Sequence, residues 1–248
     1  MAGHSKWANI KHKKAKVDAQ RGKIFTKLIR EITVAARKGG ADPTTNSWLR
    51  LAIDKARIQN MKGDTIEKAI QRGAGAGDAD NMMEVTYEGY GPGGVAVLVE
   101  CVTDNKNRTV AEVRHAFSKA GGNLGTDGSV AYLFTKQGLI HFEKGVNEDS
   151  LMEAAIEAGA DDVAPQDDGS MDVMTQPPML MDIKDALEAK GLKAEHAQVI
   201  MAATIEVRLD DPQKAEQMIR LNELLEELDD VQNVHSNANI PDEVLEKL

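Results

Sequence analysis

Residues 95–102 read VAVLVECV, a nearly continuous apolar run. Such a run, rich in β-branched residues, is typical of a strand that is buried on both faces, so we predict a central strand here and a buried, structural role for Cys101. Before the run, GYGPGG (89–94) predicts a turn, and Val85 and Tyr87 alternate with polar residues as in another strand. The segment therefore predicts a β-hairpin at the centre of a sheet.

The residues that follow the hairpin predict a helix and a third strand. Asn107 is the expected N-cap of the helix, and Gly121-Gly122 is expected to end it. SVAYLFT (129–135) alternates apolar and polar residues and predicts a strand. The resulting β-β-α-β order lacks one helix and one strand of a closed unit. The apolar residues of the helix recur at helical spacing: Val110, Val113, Phe117 and Ala120.

A second α/β pattern follows, and it is complete by itself. GLIHFEK (138–144) predicts its first strand and AQVIMA (197–202) its last, with two short strands on either side of the turn at Asp168-Gly169. Residues 149–158 and a segment opened by Pro178 predict its two helices. The order β-α-β-β-α-β is that of the ferredoxin-like split βαβ unit. The first of these helices is predicted to bury Leu151, Met152, Ala155 and Ile156.

The C-terminal residues supply the elements that the first pattern lacks. TIEVRL (204–209) and VQNVHSN (231–237) predict strands, and Asp211-Pro212 predicts the N-cap and first residue of a long helix between them. We therefore predict a discontinuous α/β domain formed by residues 80–136 and 202–240. The complete pattern at residues 137–201 is predicted to be a ferredoxin-like domain inserted into it.

The N-terminal residues predict helices only. A first helix from Arg21 ends at Gly39-Gly40, a second begins after Asn46 or Ser47, and a third is expected to be capped by Asp64. Residues 1–79 would thus form a basic arm (1–20) and a three-helix bundle, followed by a glycine-rich linker. The predicted fold class is α+β multidomain: an N-terminal three-helix bundle plus two α/β (ferredoxin-like) domains, the third inserted into the second.

The charges of the chain are segregated. The whole chain has 30 Lys+Arg and 40 Asp+Glu, but residues 1–78 hold 17 basic and 7 acidic residues, a net charge of +10. Residues 79–248 hold the remaining 13 basic and 33 acidic residues, a net charge of −20. Such asymmetry predicts that one end contacts a polyanion while the other repels it. Because the chain has neither an apolar signal-peptide region nor a run of ~20 apolar residues, we expect a cytoplasmic protein without a membrane partner.

Nucleic acid is the predicted polyanion. Lysines on a flexible arm can follow a phosphate backbone and release counterions, and an indole can stack on an unpaired base. A basic stripe on the first helix continues the charge of the arm. The alternatives are a solvated run of charge or a targeting signal. The predicted contact residues are Lys6, Trp7, Lys11, His12, Lys13, Lys14, Lys16, Arg21, Lys23, Lys27, Arg30 and Arg37.

The sequence carries no recognised catalytic or metal-binding motif. Its six histidines are scattered, and Cys101 is the only cysteine, so neither a zinc motif nor a disulfide framework is predicted. Asp161-Asp162 and Asp167-Asp168 border a turn and are interpreted as solvated turn residues. We predict no enzymatic activity, no metal and no cofactor, and a monomer in solution.

Several blocks of the sequence are distinctive. A long N-terminal block contains GHSKW (3–7), IKHKK (10–14) and RGKIFTK (21–27), and later blocks are YEGYGPGG (87–94), TDNKNRT (103–109) and GGNL (121–124). These blocks resemble the YebC family, most specifically the N-terminal one. The resemblance implies three domains, the second and third of them α/β, and no catalytic residues. It also implies two functions that stay open: DNA-binding transcriptional regulators, and ribosome-associated translation factors that relieve stalling or activate translation of cytochrome oxidase.

Between these targets, the residues favour RNA slightly. A basic arm and one helical stripe suit an irregular RNA surface, whereas no helix-turn-helix with base-reading side chains is evident. The glycine-rich loops at 89–94 and 121–128 are either plain turns or points where bare backbone approaches ribosomal RNA or transfer RNA. A small-molecule sensor and an adaptor that uses its acidic surface to hold a basic protein are the alternatives of other classes.

Overall fold

A computed structural model describes residues 19–75, 81–166 and 168–248, with side chains in the first helix from Gly22 onward. Within these residues the protein is a mixed α/β molecule with eight α-helices and two four-stranded antiparallel sheets. One further pair of short strands is parallel.

The N-terminal bundle consists of α1 (Ala19–Gly39), α2 (Ser47–Ile58) and α3 (Gly63–Ala74). The side chain of Asn46 caps α2 by accepting a hydrogen bond from the backbone N–H of Leu49. The expected cap at Asp64 was wrong, because α3 begins one residue earlier, at Gly63. Asp64 lies in the first turn instead, where a negative charge still favours the helix. The bundle core contains Leu28, Ile32, Leu49, Ala52, Ile53, Ile66 and Ala69.

The remaining elements alternate between two sheets. In chain order they are β1 (Met83–Tyr90), β2 (Ala96–Thr103), α4 (Lys106–Lys119), β3 (Asn123–Leu124), β4 (Phe134–Phe142), α5 (Glu148–Ala158), β5 (Asp162–Pro165), β6 (Met171–Thr175), α6 (Leu180–Ala189), β7 (His196–Ala203), β8 (Val207–Arg208), α7 (Pro212–Glu226), β9 (Val231–Ser236), β10 (Ala238–Asn239) and α8 (Asp242–Leu245). We call residues 83–133 and 204–248 the first sheet unit, and residues 134–203 the second sheet unit.

The first sheet has the strand order β3-β1-β2-β9. The apolar run that contains β2 is its centre, since β2 pairs with β1 on one side and with β9 on the other. Val97, Val99 and Cys101 point to the core under α4 and α7, and the predictions of a central strand and a buried Cys101 are confirmed. The cap of α4 is Asn105 and not the expected Asn107, because the helix begins two residues earlier.

The second sheet has the order β5-β6-β4-β7, and α5 and α6 supply its helices. With the connection β-α-β-β-α-β, this is the strand order of a split βαβ unit. Ile140, Phe142 and Val173 of the sheet pack against Leu151 and Leu187 of the helices.

Two predicted strands are a single strand in the structure. Residues 131–133 form a 3₁₀ turn, and β4 then runs without a break from Phe134 to Phe142. The polar residues Thr135, Lys136 and Gln137 do not interrupt it, because each pairs with a residue of β7. The expected boundary between residues 136 and 137 therefore falls inside a strand, and Tyr132, one of the alternating residues of the strand predicted at 129–135, is 72% exposed.

Three other apolar residues of the predicted elements are exposed, and two of them, Met152 and Ile156, were expected in the core. Met152 and Ile156 of α5 lie on its outer side, since Leu151, Ala154 and Ala155 form the buried face. Ile205 is exposed because only Val207–Arg208 of the predicted strand at 204–209 are extended in a sheet. Those two residues pair with β10 and do not join the first sheet.

The ends of the second sheet unit lie side by side. The backbone N–H of Thr204 donates to the carbonyl oxygen of Leu133 at 2.8 Å, directly outside β4 and β7. The chain therefore leaves the first sheet unit and returns to it at one point.

Candidate nucleic-acid interface

The predicted contact residues fall into two groups. Lys6, Trp7, Lys11, His12, Lys13, Lys14 and Lys16 lie outside the described residues, and Arg21 belongs to α1 without a described side chain. The other four, Lys23, Lys27, Arg30 and Arg37, have described side chains and are called the α1 stripe below.

The α1 stripe contacts the first sheet unit at the carboxyl end of α7. Lys23 Nζ donates to the carbonyl oxygen of Glu227 at 3.0 Å, and Lys27 Nζ donates to that of Glu226 at 2.7 Å. The last carbonyl groups of a helix lack partners within the helix and carry its partial negative charge, so two ammonium groups are favourable there. No sequence pattern predicts this contact, because the partners are about 200 positions apart.

Asp230 is the charged centre of the same contact. Arg30 donates to its carboxylate at 2.8 Å and to the carbonyl oxygen of Asp229 at 2.6 Å. Arg108, Thr103 and Thr109 also donate to the carboxylate of Asp230, which is only 2% exposed. Burial disfavours its charge, but these donors outweigh burial and hold the pKa of Asp230 below its ordinary value.

Arg37 extends the contact toward the other end of α1. Its guanidinium donates to the carbonyl oxygen of Met82 at 2.7 Å, and the neighbouring Lys38 forms an ion pair with Glu84 of β1. All four residues of the α1 stripe therefore bind groups of this same chain. The stripe attaches the bundle to the acidic part of the molecule.

The bundle also contacts the second sheet unit. Arg50 of α2 pairs with Asp182 of α6, and Asp54 of α2 lies 3.4 Å from the ammonium group of Lys184. Lys55 pairs with Glu31 inside the bundle at 2.7 Å. These pairs engage further charges of α2.

Besides Lys23 and Lys38, four basic residues of the described bundle are exposed, and none of them is among the contact residues predicted from the sequence. Arg57 and Lys62 lie on either side of the turn between α2 and α3, and Lys68 and Arg72 lie four residues apart on one side of α3. We call them the outer bundle face. The spacing of four residues between Lys68 and Arg72 could have predicted a basic face on α3. The arm was predicted as the contact site because its run of lysines is denser.

A groove of about 650 Å³ separates the bundle from both sheets. Trp48 of α2 stands at this groove, 47% exposed, and Lys136 Nζ lies 4.6 Å from the centre of its ring. Glu100 also lines the groove, and its carboxylate accepts hydrogen bonds from Asn233 at 3.0 Å and from His235 at 3.2 Å. Burial opposes the charge of Glu100, but His235 and Asn233 lower its pKa to about 2. The groove thus combines one aromatic face with a fixed negative charge.

The glycine-rich loops of the first sheet unit lie together. β3, inside the second loop, pairs with the end of β1 through Gly89 and Leu124. The carboxylate of Glu88, which is buried, accepts hydrogen bonds from the backbone N–H groups of Gly128, Val130 and Ala131, each at 2.7 Å. Burial opposes the charge of Glu88, but these three donors lower its pKa below the ordinary value. An internal anion therefore already occupies the amides of this loop.

The histidines and acidic pairs form no metal cluster within the residues that the structure describes. His141 is buried, and its Nδ1 lies 2.6 Å from the carboxylate of Asp172. Burial raises the pKa of Cys101 to about 12, which leaves its thiol protonated and unreactive at neutral pH. No helix of the described residues has both the length and the apolar composition to cross a membrane.

Comparisons with known proteins cover nearly the whole chain. A family model described as the TACO1/YebC protein N-terminal domain matches residues 5–76, and another described as the TACO1/YebC second and third domain matches residues 82–238. The chain is 66% identical over 248 residues to a probable transcriptional regulatory protein of Hahella chejuensis, with 100% of this chain and 99% of the relative covered. It is 64% identical to one of Methylococcus capsulatus, with 100% of both chains covered.

A solved structure is also similar. The crystal structure of a conserved hypothetical protein from Aquifex aeolicus superposes with a TM-score of 0.84 at 51% sequence identity. The match covers 95% of this chain and 97% of that chain.

Proposed function

The chain belongs to the TACO1/YebC family, and from this premise we propose that it is a non-enzymatic regulator of gene expression that binds nucleic acid through its N-terminal arm and bundle. Curated relatives are named probable transcriptional regulatory proteins, which supports the general role. Within that role we propose ribosomal RNA as the target and translation as the regulated step.

The outer bundle face carries the proposal of nucleic-acid binding. Its four cations are exposed, whereas the α1 stripe is engaged within the chain. Phosphate contacts from exposed lysines and arginines release counterions and give salt-dependent affinity. The arm precedes α1 and adds its lysines to the same end of the chain. The proposed contact residues are thus those of the arm together with Arg57, Lys62, Lys68 and Arg72.

The charge distribution favours RNA on a ribosome over a free DNA duplex. Residues 79–248 carry 33 acidic residues against 13 basic ones, and they would be repelled from a continuous phosphate surface. A ribosomal site offers RNA to the basic end and protein to the acidic end. A promoter-specific regulator needs side chains that read base edges, each good pair being worth about 1–3 kcal/mol of discrimination. DNA-binding transcriptional regulation is the alternative, because relatives are named probable transcriptional regulatory proteins.

The decisive experiment compares both targets in one preparation. We expect the protein to co-sediment with ribosomes in a sucrose gradient at moderate salt and to discriminate poorly among DNA duplexes in a competition assay. Exchange of Lys11, Lys13, Lys14 and Lys16 for Glu should abolish binding without unfolding the protein. If four phosphates are contacted, the slope of log affinity against log salt should be about −3 to −4 for the unaltered protein.

A control variant distinguishes the outer bundle face from exposed charge elsewhere in the chain. Lys68→Glu with Arg72→Glu should weaken RNA binding, whereas Glu216→Gln on the exposed side of α7 should not. Absence from ribosomal fractions, together with a strong preference for one DNA sequence, would decide for the transcriptional alternative.

A small-molecule sensor is the alternative from another class, and the groove beside Trp48 is where a ligand would fit. Cavities of this volume at the junction of several units are typical ligand sites. A thermal-shift screen with amino acids and nucleotides tests it. We also propose that residues 134–203 form a domain inserted into the first sheet unit, since both of their ends meet it at Leu133 and Thr204.

A further inference from the structure

The α1 stripe has the composition of a phosphate-binding surface but is engaged by the molecule itself. Lys23, Lys27 and Arg30 lie on one side of α1 at spacings of four and three residues. All three donate to the segment 226–230, which is the carboxyl end of α7 and the turn after it. This segment supplies three backbone carbonyls and one carboxylate.

The groups on the two sides of this contact resemble those of a protein–phosphate contact. Carbonyl oxygens at a helix end and an ionised carboxylate present negative charge to ammonium and guanidinium groups, as phosphate oxygens do. The segment that carries them is therefore an internal substitute for a polyanion. Added nucleic acid and segment 226–230 would compete for the same cations.

The contact is built from parts that can separate. Lys23 is exposed, and Lys27 and Arg30 are only partly buried. The Lys23 contact is therefore screened by salt and contributes little by itself, whereas the Arg30–Asp230 pair, with side chains 19% and 3% exposed, is the most buried part of the contact. Asp230, by contrast, is buried and keeps its bonds to Arg108, Thr103 and Thr109 of its own unit when Arg30 leaves. Release of α1 therefore leaves no unpaired buried charge.

We propose that the α1 stripe and segment 226–230 form a latch that holds the bundle against the first sheet unit in the free protein, and that phosphate of a bound nucleic acid opens it by taking over Lys23, Lys27 and Arg30. The latch rests on the proposed function, because it assigns a regulation to that same basic end. The arm and the outer bundle face make the first contact, and the stripe becomes available after the latch opens.

Two measurements on one sample test the latch. A donor and an acceptor dye are attached at Gln71→Cys on α3 and Glu223→Cys on α7, both exposed positions, while Cys101 is buried and does not compete for label. Anisotropy of labelled oligouridine reports binding, and energy transfer reports the separation of α3 and α7. We expect bound oligouridine to lengthen that distance.

The variant Asp230→Asn removes the charge that Arg30 binds and nearly keeps the shape. It should bind oligouridine about fivefold or more tightly than the unaltered protein, because the energy that opens the latch is no longer taken from binding. Glu216→Gln, which removes a charge from the exposed side of the same helix, should bind as the unaltered protein does. Arg108→Gln loosens Asp230 on the side of the first sheet unit only and should change affinity less than Asp230→Asn.

The outcomes separate the latch from the proposed function. Binding of oligouridine without a change of distance overturns the latch alone. An equal gain of affinity in Arg108→Gln and Asp230→Asn also overturns it, because loosening of the first sheet unit would then explain both. Absence of binding at low salt, in the unaltered protein and in Asp230→Asn, overturns the proposed function and the latch with it.

Discussion

At the scale of single residues, two buried carboxylates connect segments of the chain that are distant in sequence. Glu88 and Asp230 are both buried, and each is surrounded by donors from segments distant in sequence. A carboxylate that accepts several hydrogen bonds stays charged in a buried place, and removal of its acceptor atoms leaves unpaired N–H groups. Glu88 thereby holds the loop 128–131 in place, and Asp230 connects α1 to the first sheet unit.

Glu88→Gln tests this at the loop 128–131. One carboxylate oxygen is replaced by an amide NH2 group, which cannot accept a hydrogen bond, so at least one backbone N–H loses its partner. We expect the free energy of unfolding to fall by about 1–3 kcal/mol in urea titrations. Glu112→Gln, at an exposed position of α4, is the control and should change it by less than about 0.5 kcal/mol. Equal effects of the two variants would contradict this role of Glu88.

We expect the stability of the second sheet unit to depend on pH through His141. Its hydrogen bond with Asp172 raises its pKa, burial opposes this, and the charges of Asp172, Glu195 and Asp168 add to the increase. His196 stacks on its ring at 4.9 Å. A group with a raised pKa in the folded state stabilises below its unfolded pKa, and this stabilisation is lost as pH rises through the folded value.

The free energy of unfolding should therefore decrease from pH 6 toward alkaline pH by more in the unaltered protein than in His141→Gln. Urea titrations at several pH values measure the difference. His115→Gln, at an exposed position of α4, should keep the unaltered pH profile. The same profile in all three proteins would contradict a difference between the pKa of His141 in the folded state and in the unfolded state.

At the scale of elements, helix α1 shows that two faces can be read from the sequence while their partners cannot. The apolar face packs inside the bundle, as the spacing predicted, and its Leu28 and Ile32 are buried there. The basic face was interpreted as a nucleic-acid surface, and in the structure it contacts the first sheet unit. Binding of nucleic acid by these residues stays a prediction. Under the proposed latch, they bind nucleic acid only after they leave segment 226–230.

Two glycines in the bundle should respond to alanine with opposite signs. A Cβ at Gly73 of α3 would lie 2.2 Å from the carbonyl oxygen of Thr33 in α1, whereas a Cβ at Gly22 of α1 would meet no atom of the described residues within 4 Å. We expect Gly73→Ala to destabilise by about 1–3 kcal/mol, because backbone cannot move aside cheaply. Gly22→Ala should stabilise by about 0.5–1 kcal/mol through helix propensity. Thermal melts of both variants decide, and equal signs would contradict the close packing of α1 on α3.

At the scale of the whole molecule, we expect the second sheet unit to be removable, because its two ends meet at Leu133 and Thr204. Replacement of residues 134–203 by a short Gly-Ser linker should leave a protein with a cooperative melt. It should lose roughly 2–4 kcal/mol of stability, because Leu98 and Val130 lose the cover of Phe134 and Met201. Removal of residues 137–201 is the comparison, since it cuts β4 and β7 inside their ladder and leaves only the pairs Phe134–Ala203 and Thr135–Ala202. Aggregation of the first protein without a cooperative melt would contradict the division.

Local chemistry was sufficient for much of the fold. The central strand at 95–102, the cap at Asn46 and the β-α-β-β-α-β order depend on spacings of a few residues, which the sequence displays directly. The core of α5 was only half right, because an assignment of helix face from few apolar residues can be rotated by one position. Met152 and Ile156 were assigned inward for that reason. β4 was predicted as two strands because polar residues interrupt its apolar pattern. Pairing with β7 tolerates these polar residues, so the strand continues through them.

The sequence by itself determined the identity of most elements and the segregation of charge into a basic end and an acidic remainder. Only the tertiary structure decided which cations are exposed and which are engaged. Lys27 and Lys68 are both lysines on the polar side of a helix, yet the first is held by Glu226 and the second is exposed. The physical reason is that a charge interacts with whatever lies within a few ångströms through space, and the group that lies there can be 199 positions away in the chain.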